Sequence, residues 1–160
     1  MSVTSLDTIL QDRRSQPQQL IEVLHDVQRL HGYIPQEAMI AASTELGVPL
    51  IEVYRVASFY KAFSLVPRGK HLITVCMGTA CHVRGAAPMV HQVAGQLDVE
   101  PGGTTADDLF TLECVNCLGA CALGPVVVLD GVYHDHMTHR KLRRLIESVR
   151  WAENEGRSDA

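Results

Sequence analysis

The arrangement of cysteines limits this chain more than any other feature. Four of them fall in two close pairs, Cys76-x4-Cys81 and Cys117-x3-Cys121, with 35 residues between the pairs, and a fifth, Cys114, stands three positions before Cys117. Four thiolates in two close pairs can surround one metal centre, each pair approaching from its own loop, so a fold that uses them must bring two distant loops together. The residues between the cysteines suit that role: Met77-Gly78-Thr79-Ala80 and Leu118-Gly119-Ala120 are mostly small, and each stretch holds a glycine. Small side chains let backbone N–H groups approach sulfur, where their hydrogen bonds favour a more negative centre. Pro125 limits the chain beside the second pair.

Three chemistries fit this spacing. A two-iron, two-sulfide centre takes two thiolates per iron and is normally held by four cysteines. Structural zinc commonly uses C-x2-4-C pairs, so the first pair alone would qualify. Against zinc, Cys114 is a surplus ligand and the loops lack knuckle-like turns. Cys114-x2-Cys117 has the CxxC spacing of redox thiols, but Val115-Asn116 follows strand-like residues and does not head a helix. The iron–sulfur reading leads, with zinc and thiol chemistry still open.

Charge narrows the partners. The formal charge is −4, and between Arg84 and Arg140 there is no Lys or Arg, while Asp98, Glu100, Asp107, Asp108, Glu113, Asp130 and Asp135 all fall in that stretch. Such a surface repels phosphate backbones, and aromatic content of 5% offers little for base stacking, so nucleic-acid binding is not expected. No apolar run approaches the ~20 residues needed to cross a membrane. The opening MSVTSLDTILQDRRSQPQQ has no cationic segment followed by an apolar one. The expected location is the cytoplasm, or the cytoplasmic side of a membrane-bound complex, without insertion. In a reducing compartment, five cysteines point to metal ligands or redox groups rather than disulfides.

The chain divides by pattern near Val66-Pro67-Arg68-Gly69, a turn-like segment. Residues 1–68 read as helical. One helix starts near Ser15 and Pro17, carries Leu20, Val23, Leu24, Val27 and Leu30 at helical spacing, and stops at Gly32. A second spans roughly Gln36 to Leu46 and ends at Gly47, and a third opens after Pro49 with Val53, Val56, Ala57 and Tyr60 near one face. Residues 69–160 alternate strand and helix: a strand at His71–Cys76, a helix at Ala86–Leu97, a break at Pro101-Gly102-Gly103 and a strand at Leu109–Leu112. Val126–Leu129, Asp130-Gly131 and Val132-Tyr133 read as a hairpin with an Asp-Gly turn. Thr138 can cap a last helix carrying Leu142, Leu145, Ile146 and Val149, with a polar, frayed tail after Trp151. The fold class is therefore α/β, a helical region followed by a small α/β sandwich. Both cysteine pairs fall where a strand gives way to a loop.

At the level of motifs the chain resembles the 24 kDa-type subunit of NADH dehydrogenase (respiratory complex I), together with the small subunits of NAD-linked hydrogenases and NAD-dependent formate dehydrogenases. The likeness rests on Gly32-Tyr33-Ile34-Pro35, Val53-Tyr54-Arg55-Val56-Ala57-Ser58-Phe59-Tyr60, Val75-Cys76-Met77-Gly78-Thr79-Ala80-Cys81 and Phe110-Thr111-Leu112-Glu113. It continues through Asn116-Cys117-Leu118-Gly119-Ala120-Cys121-Ala122-Leu123-Gly124-Pro125 and covers about residues 15–150. The resemblance implies a helical N-terminal part and a thioredoxin-like domain holding one [2Fe-2S] cluster on Cys76, Cys81, Cys117 and Cys121. Cys114 falls where the family needs no ligand and reads as a spare, buried or partly buried thiol. Arg55 and Gly124 depart from residues common in relatives, and neither is a ligand.

The resemblance also implies a role. The chain is expected to be a one-electron station in an NAD(H)-linked oxidoreductase of several subunits, not catalytic alone. FMN and NAD(H) would sit on a larger flavin subunit, beside further iron–sulfur subunits. No G-x-G-x-x-G, Walker A or Ser-His-Asp signature is present here. The rival is a zinc-stabilised adaptor without redox work. His82, next to Cys81, and the run His134-Asp135-His136-Met137-Thr138-His139 could bind metal, but four cysteines suffice and the run reads as a surface turn.

Overall fold

The computed structural model describes residues 6–11, 13 and 15–158. The chain forms two compact units, residues up to Arg68 and residues from Gly69 onward, each with its own apolar core.

The first unit is helical. Helix α1 (Leu6–Gln11), which the sequence pattern did not mark, contributes Ile9 and Leu10 to the core. The next helix does not start on a capping side chain. Ser15 takes a left-handed φ of 57° and its N–H donates to the Glu45 carbonyl at 2.8 Å, and a 3-10 turn at Pro17–Gln19 leads into α2 (Leu20–His31). Leu20, Val23, Leu24 and Val27 are buried, whereas Leu30, expected on the same stripe, stays exposed. Gly32 ends α2 with φ 78°, and its N–H closes on the Gln28 carbonyl at 2.7 Å; only a residue without a Cβ adopts that φ freely. Helix α3 spans Gln36–Leu46 and α4 Leu50–Phe59, each entered from a proline in extended conformation. Of the third helix's expected face, Val53 and Ala57 are buried and Tyr60 is exposed.

The second unit is a four-stranded sheet, order β2-β1-β3-β4, built from β1 (His71–Cys76), β2 (Phe110–Val115), β3 (Val127–Leu129) and β4 (Val132–His134). Strands β1 and β2 run parallel from His71↔Phe110 to Cys76↔Val115, whereas β3 is antiparallel to both β1 and β4. Parallel neighbours need a crossover, supplied by the short α5 (Thr79–Val83) and by α6 (Ala86–Leu97). Helices α6 and α7 (His139–Ser158) pack on each other, and Ile73, Val75, Val93, Phe110, Leu112 and Leu142 are almost wholly enclosed. Truncating such a side chain to Ala costs about 2–5 kcal/mol. Asp130 and Gly131 join β3 to β4 with φ 50° and 83°, the positive pair that an Asp-Gly hairpin turn needs.

Three expectations change. The second strand is not Leu109–Leu112: it runs to Val115, because six residues of β1 need partners. Helix α5 lies inside the first cysteine loop, where no periodicity announces five residues of helix. The expected frayed tail is helical after Trp151 as far as it is described: α7 continues to Ser158, and Glu153 on it accepts from Lys70 at 2.5 Å and pairs with His71 Nε2 at 3.2 Å.

Candidate metal centre

The parallel register fixes where the cysteines meet. Cys76 is the last residue of β1 and pairs with Val115, the last of β2, so the two loops leave one end of the sheet side by side. Met77 N–H donates to the Val115 carbonyl at 2.8 Å and carries the ladder one residue further. Cys81 then sits within α5, Cys117 follows β2 by two residues, and Cys121 opens a 3-10 turn, Cys121–Leu123. The loops touch through glycines. A Cβ on Gly78 would lie 2.8 Å from the Asn116 carbonyl oxygen and 3.5 Å from Cys117 Cβ, and one on Gly124 would lie 3.1 Å from Cys81 Sγ.

Cys76 and Cys81 are buried, while Cys117 and Cys121 are exposed. The sulfurs influence one another. Burial works to raise the Cys76 pKa, but the amides of Gly78 and Leu118 and the Cys81 thiol donate to its sulfur, and the net result lies below the ordinary thiol value. Cys81 moves the other way: burial raises it, and the charges of Cys76 and Cys121 add to the rise against an opposing hydrogen bond from the Val126 amide. Gly119 N–H donates to Cys117 Sγ at 3.3 Å, with Gly119 at φ 78°. Sulfurs that meet backbone donors and sense one another's charge suit a group that takes thiolates and spreads their charge.

This donor set fits a two-iron cluster better than a single ion. Two thiols come from each loop, small residues line the gap and N–H groups face the sulfurs. A two-iron core divides four thiolates between two metals, a pair to each.

The other sequence candidates lie elsewhere. Cys114 is within β2 on the face of Phe110 and Leu112, but the core does not cover it: the residue is exposed, although protein packed around the sulfur still raises the thiol's pKa. The expectation of a buried or partly buried thiol is corrected to an exposed residue, because Cys114 follows Leu112 toward the strand's end, where the core no longer covers that face. His82 is exposed on α5. The His134–His139 run turns its polar groups to local bonds, His136 to Asp135 at 3.2 Å and His139 to Gln92, while Met137 plugs the core. One residue that no motif marks does reach the centre: Arg84 Nη1 donates to the carbonyls of Cys121 at 2.9 Å, Gly124 at 3.3 Å and Ala122 at 3.4 Å.

The model of the thioredoxin-like [2Fe-2S] ferredoxins matches residues 6–150 of this sequence. The chain belongs to that family. Like other thioredoxin-like [2Fe-2S] ferredoxins it is an electron-transfer protein with a [2Fe-2S] cluster as its cofactor. It is 39% identical over 127 residues to the NADP-reducing hydrogenase subunit HndA of Solidesulfovibrio fructosivorans, covering 79% of this chain and 74% of that one. It is 36% identical to a subunit of the NADH-quinone oxidoreductase of Escherichia coli, covering 79% of this chain and 76% of the relative. An NAD+-reducing [NiFe]-hydrogenase in the air-oxidised state shares the fold, with a TM-score of 0.74 at 22% identity over 88% of this chain. This chain spans 24% of the length of that hydrogenase chain. No described helix is long and apolar enough to cross a membrane.

Proposed function

We propose that Cys76, Cys81, Cys117 and Cys121 hold the cluster, and that the chain passes single electrons to or from a flavin-containing, NAD(H)-binding companion subunit in the cytoplasm. The observation that carries the ligand assignment is the meeting of both cysteine loops at the shared end of β1 and β2. The relatives' names, a hydrogenase subunit and a quinone oxidoreductase subunit, support membership of a larger redox assembly.

When bound, the cluster supplies a one-electron couple. The protein's part is to hold and insulate. Cys76 and Cys81 hold their sulfurs on the core side, and the amides of Gly78, Leu118, Val126 and Gly119 direct positive dipole ends at sulfur, favouring negative charge there. Cys117 and Cys121, both exposed, would hold their share of the cluster from the surface side, where a partner could approach. The division of the chain at Arg68 and Gly69 supports two domains, 1–68 and 69–160, with separate tasks.

Anaerobically purified protein should carry about two irons and two labile sulfides per chain. Cys117→Ser or Cys121→Ser should lose or strongly alter the visible spectrum. The flavin-free chain should not oxidise NADH, yet should be reduced by NADH once the companion flavoprotein is added. Stoichiometric zinc without sulfide would overturn this reading in favour of the adaptor.

A further inference from the structure

We propose that Arg84 is a positioning residue for the cluster, clasping the second cysteine loop onto the first and holding a positive charge beside the Cys81 sulfur. The inference rests on the ligand assignment above and extends it to a residue outside both cysteine motifs.

Arg84 stands three residues after Cys81, at the C-terminal end of α5. Its Nη1 donates across 37 to 40 positions of sequence to Cys121, Ala122 and Gly124, three carbonyls of the turn that contains the last cysteine. That turn is a single stretch of 3-10 helix, and a helix of that length leaves most of its carbonyls without internal partners. Within the turn, only the long Gly124 N–H to Cys121 bond of 3.4 Å competes for the Cys121 oxygen. The guanidinium therefore satisfies groups that the backbone leaves open, and does so from the other ligand loop. One terminal nitrogen makes all three contacts, its two N–H groups shared among three oxygens and held there by a stiff guanidinium.

The second consequence is electrostatic. The place where a Cβ on Gly124 would sit is 3.1 Å from Cys81 Sγ and 3.4 Å from Arg84 Nη1, so sulfur and guanidinium face the same spot. From Gly85 to His139 the chain has no Lys or Arg and seven carboxylates, so the loop bearing Cys117 and Cys121 brings no cation of its own. A reduced cluster carries one more negative charge than an oxidised one, and a cation nearby favours the reduced form. Because Arg84 is exposed, salt screens its effect.

The two roles separate by substitution in the full chain. Arg84→Gln removes the charge and most of the clasp; Arg84→Lys keeps the charge, but its shorter and more flexible stem holds the donor less firmly against the turn. Both are loaded with cluster, checked for unchanged far-ultraviolet circular dichroism, and followed by redox titration and by the rate of bleaching with an iron chelator. For Arg84→Gln the ratio of reduced to oxidised cluster at a fixed potential should fall threefold to tenfold, tenfold being about 59 mV for a one-electron couple. The fall should shrink in 1 M salt (an ionic strength at which the Debye length is ~3 Å), and bleaching should be several-fold faster. Arg84→Lys should keep the ratio within twofold of wild type yet still bleach faster. Ratios and bleaching rates within twofold of wild type in Arg84→Gln overturn the proposal, as does an equal shift of ratio in both variants. Cys121→Ser is the control for the ligand reading: if that variant bleaches while Arg84→Gln behaves as wild type, only the role of Arg84 fails. If Cys121→Ser keeps an unaltered cluster, the ligand assignment itself fails.

Discussion

Gly78 and Asn116 meet so closely that a Cβ on the glycine would lie 2.8 Å from the asparagine's carbonyl oxygen. The contact joins the two ligand loops, one residue from Met77, which continues the β1–β2 ladder, and one residue from Cys117. The obstacle is backbone rather than a flexible side-chain end, so nothing nearby can swing aside. Gly78→Ala should therefore force the loops apart, at a cost of about 1–3 kcal/mol typical of overpacking. Its expected signature is a cluster that assembles poorly or bleaches several-fold faster on exposure to air. A variant that assembles and keeps the cluster as well as wild type would show that the loops have slack that the geometry does not reveal.

Cys114 offers a sharper test of which thiols are ligands. Its exposed position in β2 leaves it reachable, and the desolvation that raises its pKa makes it a sluggish nucleophile at neutral pH. In the cluster-loaded protein one thiol per chain should react with iodoacetamide, slowly at pH 7. The rate should keep climbing as the pH passes the ordinary thiol value of about 8.5, because the folded thiol ionises above it. Cys114→Ser should abolish that labelling and leave the visible spectrum intact. Bleaching by Cys114→Ser while Cys117→Ser stays coloured would reverse the assignment of the second loop.

The sequence made the second unit's frame legible because its signals are local. The β-type run His71–Cys76 and the periodic Ala86–Leu97 coincide with β1 and α6, and an Asp-Gly pair needs a positive-φ turn wherever it sits. Gln36–Leu46 was bounded by a proline and a glycine and coincides with α3. What stayed hidden depends on partners distant in the chain. β2 is longer than its apolar run because β1 pairs with Glu113, Cys114 and Val115, and the charged Glu113 interrupts the apolar signal before the strand ends. Helix α7 outlasts its apolar stripe where Glu153 reaches Lys70 and His71, more than eighty residues away. The four cysteines were visible as a pattern, but the reach of Arg84 was not, since a hydrogen bond to a carbonyl leaves no mark on residue type.

Asp107 provides a pH-dependent stability term. Its carboxylate accepts from the Thr105 hydroxyl at 2.5 Å and from the Leu109 amide at 3.1 Å, and these bonds, with a smaller contribution from Arg150, hold its pKa below the ordinary value of 3.8. The unfolded chain then binds the proton more readily than the folded one, so stability rises with pH through this range. The contribution is complete above the ordinary carboxylate value and is lost as pH falls through the lower folded-state value. Asp107→Asn should lower the urea midpoint near neutral pH and narrow the gap to wild type as the pH is taken below about 4. A gap that does not change with pH would mean the side chain acts by packing or turn geometry, not by its charge.

The helical first unit is the expected docking element for the flavin subunit. Its α4 leaves Leu50, Ile51, Tyr54 and Phe59 exposed, and an apolar groove of about 620 Å³ is lined by Ile34, Met39, Leu50, Ile51, Tyr54 and Leu65. Contiguous apolar surface of this kind is a common feature of protein interfaces, where aromatic residues carry a large share of the energy. Charge points the same way: residues 1–68 hold six basic and seven acidic side chains, whereas residues 69–160 hold eight and eleven, so the first part repels an acidic partner less. A chain beginning at Gly69 retains the whole sheet, all five cysteines and a core of its own. It should fold and assemble its cluster but fail to co-purify with the flavoprotein. Ile51→Asp and Tyr54→Ala in the full chain should each weaken co-purification at least tenfold without changing the cluster spectrum, because the two residues are 62% and 50% exposed and contribute little to the fold. Equal binding by the shortened and full chains would assign docking to the [2Fe-2S] unit and leave the groove without this role.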